Sequence, residues 1–212
     1  MALYRALEEH DVAVLLSMVS KSDDSYMYHV PNIHLTRYAA EAIGIPLISR
    51  ETSGKPPQEN IDLKDALEDI KREYKIDGLC VGAVHSNYQY KIVSDVCSKL
   101  NLRIYAPYWQ RSHDELIIDA INAGFEIIIV SVAAEGLTEE WLGRRLDGAS
   151  VEELRILNEN YGIDIGGEGG EYETLVLDGP IFGKRICIVK SEKRWEKIRG
   201  EMVIKEVKLE EK

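Results

Sequence analysis

From Asp164 to Thr174 the chain reads Asp-Ile-Gly-Gly-Glu-Gly-Gly-Glu-Tyr-Glu-Thr, four glycines interleaved with Glu168, Glu171 and Glu173. Glycine lets main chain approach a ligand closely while neighbouring acids point at it. In a strand that begins here, Glu171 and Glu173 share a face. The competing reading is a flexible acidic turn ahead of a hairpin, since glycine-rich loops alone are weak signals.

A second concentration is Gly82-Ala-Val-His-Ser-Asn-Tyr-Gln89, directly after a buried-strand pattern. It puts small residues, a histidine and hydroxyl or amide groups at a strand carboxyl end, where open α/β sheets bind ligands. His85 is a candidate acid or base near neutral pH; the plainer account is a surface or capping residue, with Ser86 and Asn87 capping the next helix. Met18 to His29 leaves another strand end as a polar, aromatic loop suited to a flat base, or as an ordinary surface loop. Trp109, and Trp141 with Arg144, are expected at the same sheet edge, core packing being the alternative for each tryptophan.

The elements that must position these groups alternate. Helix periodicity is expected over Met1–His10, Asn32–Ile43, Ile61–Tyr74 and Tyr90–Leu100, with a further helix from a Ser112/Glu115 capping box to near Gly124. Strand patterns fall at Val12–Val19, Ile45–Ser49, Gly78–Val84, Arg103–Ala106 and Phe125–Val132. Such alternation predicts an open, mostly parallel, doubly wound α/β sheet. Beyond residue 133 it breaks: Ser150 and Glu153 are expected to cap a helix, Asp178-Gly-Pro to join Tyr172–Leu177 and Lys184–Val189 as a hairpin, and Glu201–Leu209 to form a half-exposed strand. The expected domains are therefore 1–133 and a smaller α+β domain, 134–212.

A net charge of -11, with 37 acidic against 26 basic residues and no basic block, argues against direct nucleic-acid binding. The most apolar stretch is too short to span a bilayer and the N-terminus lacks a signal-peptide pattern, so a cytoplasmic protein without membrane association is expected. Cys80, Cys97 and Cys187 lack metal or redox spacing and are read as reduced thiols, with no metal site of their own.

Val19-Ser20 with Ser25-Tyr-Met-Tyr-His29, Gly82-Ala83 with Tyr88-Gln89, Glu139-Glu-Trp-Leu-Gly-Arg144 and, most specifically, Glu168-Gly-Gly-Glu-Tyr-Glu-Thr174 together resemble the diphthine–ammonia ligase family. The family belongs to the pyrophosphatase-loop, adenine-nucleotide hydrolase-like (HUP-type) superfamily. The likeness implies amidation of diphthine, a modified histidine of translation elongation factor 2, with ammonium and ATP, giving diphthamide, AMP and pyrophosphate. Adenylation makes a carboxylate oxygen a leaving group for ammonia to displace, while magnesium neutralises the phosphates.

By the same likeness Met18, Val19, Ser20, Gly82 and Ala83 would approach the nucleotide. Glu168, Glu171 and Glu173 would face the reacting centre, with His85, Tyr88, Gln89, Trp141, Arg144, Gly169, Gly170, Tyr172 and Thr174 on the substrate. Diphthine's quaternary ammonium suits carboxylates and aromatic faces, which Glu171, Glu173, Tyr172 and Trp141 offer.

Members of the family begin with a strand and a Ser-Gly-Gly-x-Asp-Ser phosphate loop, whereas this chain opens on the helix that follows it. The expectation is a nucleotide domain without its phosphate cradle. A noncatalytic nucleotide-binding paralogue, a truncated ligase and an RNA-modifying relative stay open as alternatives, the acidic charge counting against the last. A homo-oligomer is left open too.

Overall fold

The structure is a computed structural model that describes residues 1–21 and 32–212. The expectation placed on Ser25 to His29 lies outside the described residues. Two compact units are present: residues 1–40 with 45–111, and residues 41–44 with 112–212. Among the described residues, no helix is long and apolar enough to cross a membrane.

The first unit opens with α1 (Ala2–Glu9), followed by β1 (Leu15–Ser20), the greater part of α2 (Thr36–Ile43), whose last residues count with the second unit, and β2 (Leu47–Thr52). It continues with α3 (Gln58–Tyr74), β3 (Gly78–Cys80), α4 (Asn87–Lys99) and β4 (Arg103–Tyr105). This is the helix–strand alternation that the hydrophobic periodicity predicts. β1 pairs parallel with β2, and β3 parallel with β4, as two separate ladders where a single continuous sheet was expected. What unites them is packing: Met18, Leu63, Leu67, Val93, Val96 and Leu102 share one buried cluster, with Leu16, Leu79 and Ile104 against it. Each such side chain contributes about 1.5–3 kcal/mol on burial, so the apolar faces of α3 and α4 hold both ladders in place.

The second unit contains α5 (His113–Asn122), β5 (Glu126–Val132), α6 (Gly148–Tyr161), β6 (Tyr172–Asp178), β7 (Lys184–Glu196) and β8 (Arg199–Glu211). Its antiparallel sheet has the strand order β6-β5-β8-β7. β5 was expected to close the parallel series; instead it pairs antiparallel with β6 and β8. The compact units therefore part between 111 and 112, ahead of the boundary expected near 133. Ile127 to Val130 and Val132 are all buried, and a strand covered on both faces carries the same continuous apolar run whichever direction its neighbours take. On the side toward β8, the main chain of Ile127 and Ile129 is satisfied by residues 143–146, through Leu146 N to Ile127 O (2.8 Å) and Gly143 N to Ile129 O (2.7 Å).

The expected hairpin between β6 and β7 is also corrected, because the true hairpin is β7–β8, closed at Glu196↔Arg199. Two capping expectations shift as well. Ser112 precedes α5 but its hydroxyl bonds Asp114 rather than the helix main chain. α6 is capped by Asp147, which accepts from Ser150 N at 2.9 Å while Ser150 Oγ accepts from Asp147 N at 2.7 Å. Glu153 is engaged elsewhere, with Arg144.

Candidate functional site

The glycine and acid loop between α6 and β6 is ordered by local chemistry. Ile163 is buried and anchors it. Asp164 then folds the main chain back on itself: its Oδ1 accepts from Gly166 N at 2.7 Å, its carbonyl accepts from Gly167 N at 3.0 Å, and its N–H donates to Glu171 Oε1 at 3.0 Å. Two of the glycines are dictated by space. A Cβ on Gly166 would lie 2.5 Å from the Cβ of His113, and Gly167, at φ +70, would place one 2.9 Å from the carbonyl oxygen of Tyr172. The loop is moulded around its own Tyr172 and around His113, a histidine that no spacing in the sequence connects to it.

That histidine opens α5. His113 Nδ1 lies 2.7 Å from Asp164 Oδ2, and the imidazole is 14% exposed. Tyr172 is buried, and its hydroxyl donates to Ile165 O at 2.5 Å. Burial above all, then the nearby charges of Asp164, Glu171 and Glu168, push the phenol above the ordinary tyrosine range, so it stays protonated and donating. Glu171 has one carboxylate oxygen on Asp164 N–H, while Oε2 is buried and has no hydrogen-bond partner among the described residues. Such an oxygen is satisfied by a cation or a proton. Glu173 is half-buried on β6 opposite Ser131, and Glu168, Gly169, Gly170 and Thr174 are exposed. Ala133 N donates to Glu171 O at 2.8 Å, pinning the loop's end to the end of β5.

Trp141 and Arg144 have other work. Trp141 is 5% exposed, and the Arg144 guanidinium stacks 4.4 Å from its ring centroid while bonding Glu153 at 2.7 and 2.5 Å. Trp141 therefore does not offer an open face to a cationic ligand, as its sequence context suggested. Trp109 lies in the other unit, stacked on Tyr90 at 4.2 Å, so the two tryptophans do not share one sheet edge.

In the first unit, Met18 is buried in the core at the end of β1, with Val19 and Ser20 half-buried beyond it. Ala83 is buried and Gly82 is exposed; a Cβ on Gly82 would meet only Ala2 Cβ, at 3.8 Å, so the main chain there is approachable. His85 and Tyr88 are exposed beside it. Ser86 caps α4, accepting from Gln89 N at 3.3 Å. No group of three or more His, Cys, Asp or Glu among the described residues is placed to hold a metal ion. All three thiols are free and held above their ordinary pKa: Cys80 and Cys97 by burial, Cys187 by its bond to Glu210.

His113 and Asp164 were not singled out from the sequence. Asp164 carried a local signal, an aspartate two residues before a glycine in a turn, but His113 carried none.

A unit of parallel strands and helices followed by an antiparallel unit bearing an acid and glycine loop is the plan of a two-domain α/β enzyme. Comparison with family models resolves which: the Diphthamide synthase N-terminal domain matches residues 1–104, and the Diphthamide synthase C-terminal domain matches residues 112–209. The chain belongs to the diphthamide synthase family, a family of ligases. Among its relatives, the diphthine–ammonia ligase of Bos taurus is 38% identical over 181 residues, covering 80% of this chain and 67% of the relative. Those of Danio rerio and Homo sapiens are 40% and 37% identical, covering 80% of this chain and 71% and 67% of the relatives.

Proposed function

We propose that this protein amidates diphthine on translation elongation factor 2, using ammonium and ATP and releasing AMP and pyrophosphate. The observation that carries the reading is the match of both units, in order, to the two domains of one ligase family. On this reading the first unit is a nucleotide-binding domain of the adenine-nucleotide hydrolase-like type, working in the cytoplasm. The half-buried strand end at Val19 and Ser20 and the open main chain at Gly82 suit a flat base and its sugar, which are held largely through backbone. ATP supplies the activation of the substrate carboxylate, and magnesium would come with its phosphates.

The loop of the second unit receives the cationic substrate. Glu173 and the exposed Glu168 present negative charge toward diphthine's quaternary ammonium. Glu171, whose Oε2 has no donor among the described residues, is the carboxylate that a cationic group would satisfy. Asp164 and Tyr172 hold the loop's shape through the bonds to Glu171, Gly166 and Ile165. Purified protein given diphthine-bearing elongation factor 2, ATP and ammonium is expected to release AMP and to convert the carboxylate to an amide seen by mass spectrometry. Nucleotide binding without amide formation would make it a noncatalytic paralogue, and no binding of either substrate would overturn the reading.

A further inference from the structure

One row of the antiparallel sheet runs Tyr172↔Val132↔Gly200↔Trp195. Tyr172 opens β6 immediately after the acid and glycine loop, while Gly200 and Trp195 lie just inside the β7–β8 turn at Lys197 and Ile198. Loop and turn thus emerge from the same end of the sheet, with Tyr172 and Gly200 two strand spacings, about 10 Å, apart. The ribbon stays paired up to its tip, where Trp195 packs over Gly200 and a Cβ would sit 2.4 Å from the indole ring.

The charge of this ribbon is opposite to that of the rest of the chain. Residues 184–212 hold ten Lys or Arg against six Asp or Glu, whereas residues 1–183 hold sixteen against thirty-one. Lys193, Lys197 and Arg199 are exposed at the tip, and none takes part in an ion pair among the described residues; Arg194 is the tip cation held at home, by Glu192 and Glu201. Between the cations Ile198 is 66% exposed, the highest value among the large apolar residues that are described. Lysines on an edge strand commonly guard against strand addition. That account covers Lys193 on β7 but neither an exposed isoleucine at the turn nor Arg199 on the inner strand β8.

We propose that Lys193, Lys197, Ile198 and Arg199 form a docking prong for an acidic surface of the protein substrate, beside the loop that receives the residue to be modified. This rests on the proposed function, since it takes the substrate to be a protein. The logic is one of complementarity: an acidic enzyme approaching an acidic surface is repelled everywhere except at this prong, which fixes orientation as well as encounter. The apolar tip residue supplies the short-range contact.

The test compares wild type with the Lys193→Glu/Lys197→Glu/Arg199→Glu variant and, separately, with Ile198→Asp. Equilibrium affinity for diphthine-bearing elongation factor 2 is measured at two salt concentrations, alongside KM and kcat for that protein and KM for ATP. All four side chains are exposed, so thermal melting is expected to stay at the wild-type value. The charge variant should weaken affinity and raise KM for the protein about tenfold or more and flatten the salt dependence, with kcat and KM for ATP unchanged. Ile198→Asp should give a smaller loss in the same direction. Wild-type affinity and salt slope in both variants would overturn the prong. So would tip-dependent binding of an RNA oligonucleotide more tightly than of the protein. If wild type binds the factor through the tip but forms no amide, the ligase reading falls and the prong stands; if amide forms equally well in all variants, the reverse holds.

Discussion

His113 and Asp164, 51 positions apart in sequence, meet at 2.7 Å and tie the start of α5 to the loop that carries Glu168, Glu171 and Glu173. The same aspartate bonds Gly166 and, through its N–H, Glu171. The histidine therefore acts on Glu171 at one remove, by holding the aspartate whose N–H bonds it.

This contact sets a measurable coupling. His113→Ala and Asp164→Ala are each expected to lower stability by about 1–2 kcal/mol, the loss of a part-buried hydrogen bond. In a double-mutant cycle followed by urea unfolding, the double variant should cost less than the two singles together. Strict additivity would mean that the pair contributes nothing beyond its separate packing.

The acids themselves separate by environment. Glu171→Gln and Glu173→Gln should each weaken binding of the diphthine-bearing substrate about tenfold, the order expected for losing one charge-assisted contact, while leaving KM for ATP unchanged. Unaltered substrate affinity in both variants would remove carboxylate recognition of the quaternary ammonium.

Much of this was legible beforehand, and the failures have local causes. The alternation of the first unit follows from periodicity, and the observed helices and strands sit within a few residues of the expected ones. β5 misled because Ile127 to Val130 is a continuous apolar run, a pattern that reports burial and not strand direction. Asp178-Gly-Pro is strong turn chemistry, yet β6 finds its partner in β5, forty or more residues earlier, because a turn signal fixes a change of direction and not a pairing. The real hairpin turns at Lys197-Ile198, with Lys197 at φ +56 and no glycine or asparagine to announce it. The acid and glycine loop was visible as composition. Its histidine was not, because His113 is brought there by the packing of α5 alone.

Tyr172 gives a pH signature. Its phenol titrates above the usual 10.0 in the folded chain because it is buried and surrounded by acids, so above pH 10 the unfolded chain loses that proton first. The stability contributed by the protonated, donating hydroxyl is thus complete below pH 10 and lost as pH rises beyond it. Tyr172→Phe should cost about 1 kcal/mol near neutrality, through the lost bond to Ile165 O. That gap should narrow in urea titrations run progressively above pH 10. A pH-independent gap would mean that the ionisation of Tyr172 is not linked to folding.

The cap of α6 can be assigned by mutation. Sequence pattern pointed to Ser150 with Glu153, whereas the structure gives the N-cap to Asp147, in reciprocal bonds with Ser150, and gives Glu153 to Arg144. Asp147→Ala should therefore lower stability by about 1 kcal/mol, seen as a lower thermal midpoint, whereas Glu153→Ala should shift it little, an exposed ion pair contributing little. The Ser150 N–H above all holds the Asp147 carboxyl below its ordinary 3.8, so the capping contribution is present above that value and lost as pH falls through the lowered one. Wild type and Asp147→Ala should accordingly converge in strong acid. Equal effects of the two substitutions at neutral pH would return the cap to the sequence-based assignment.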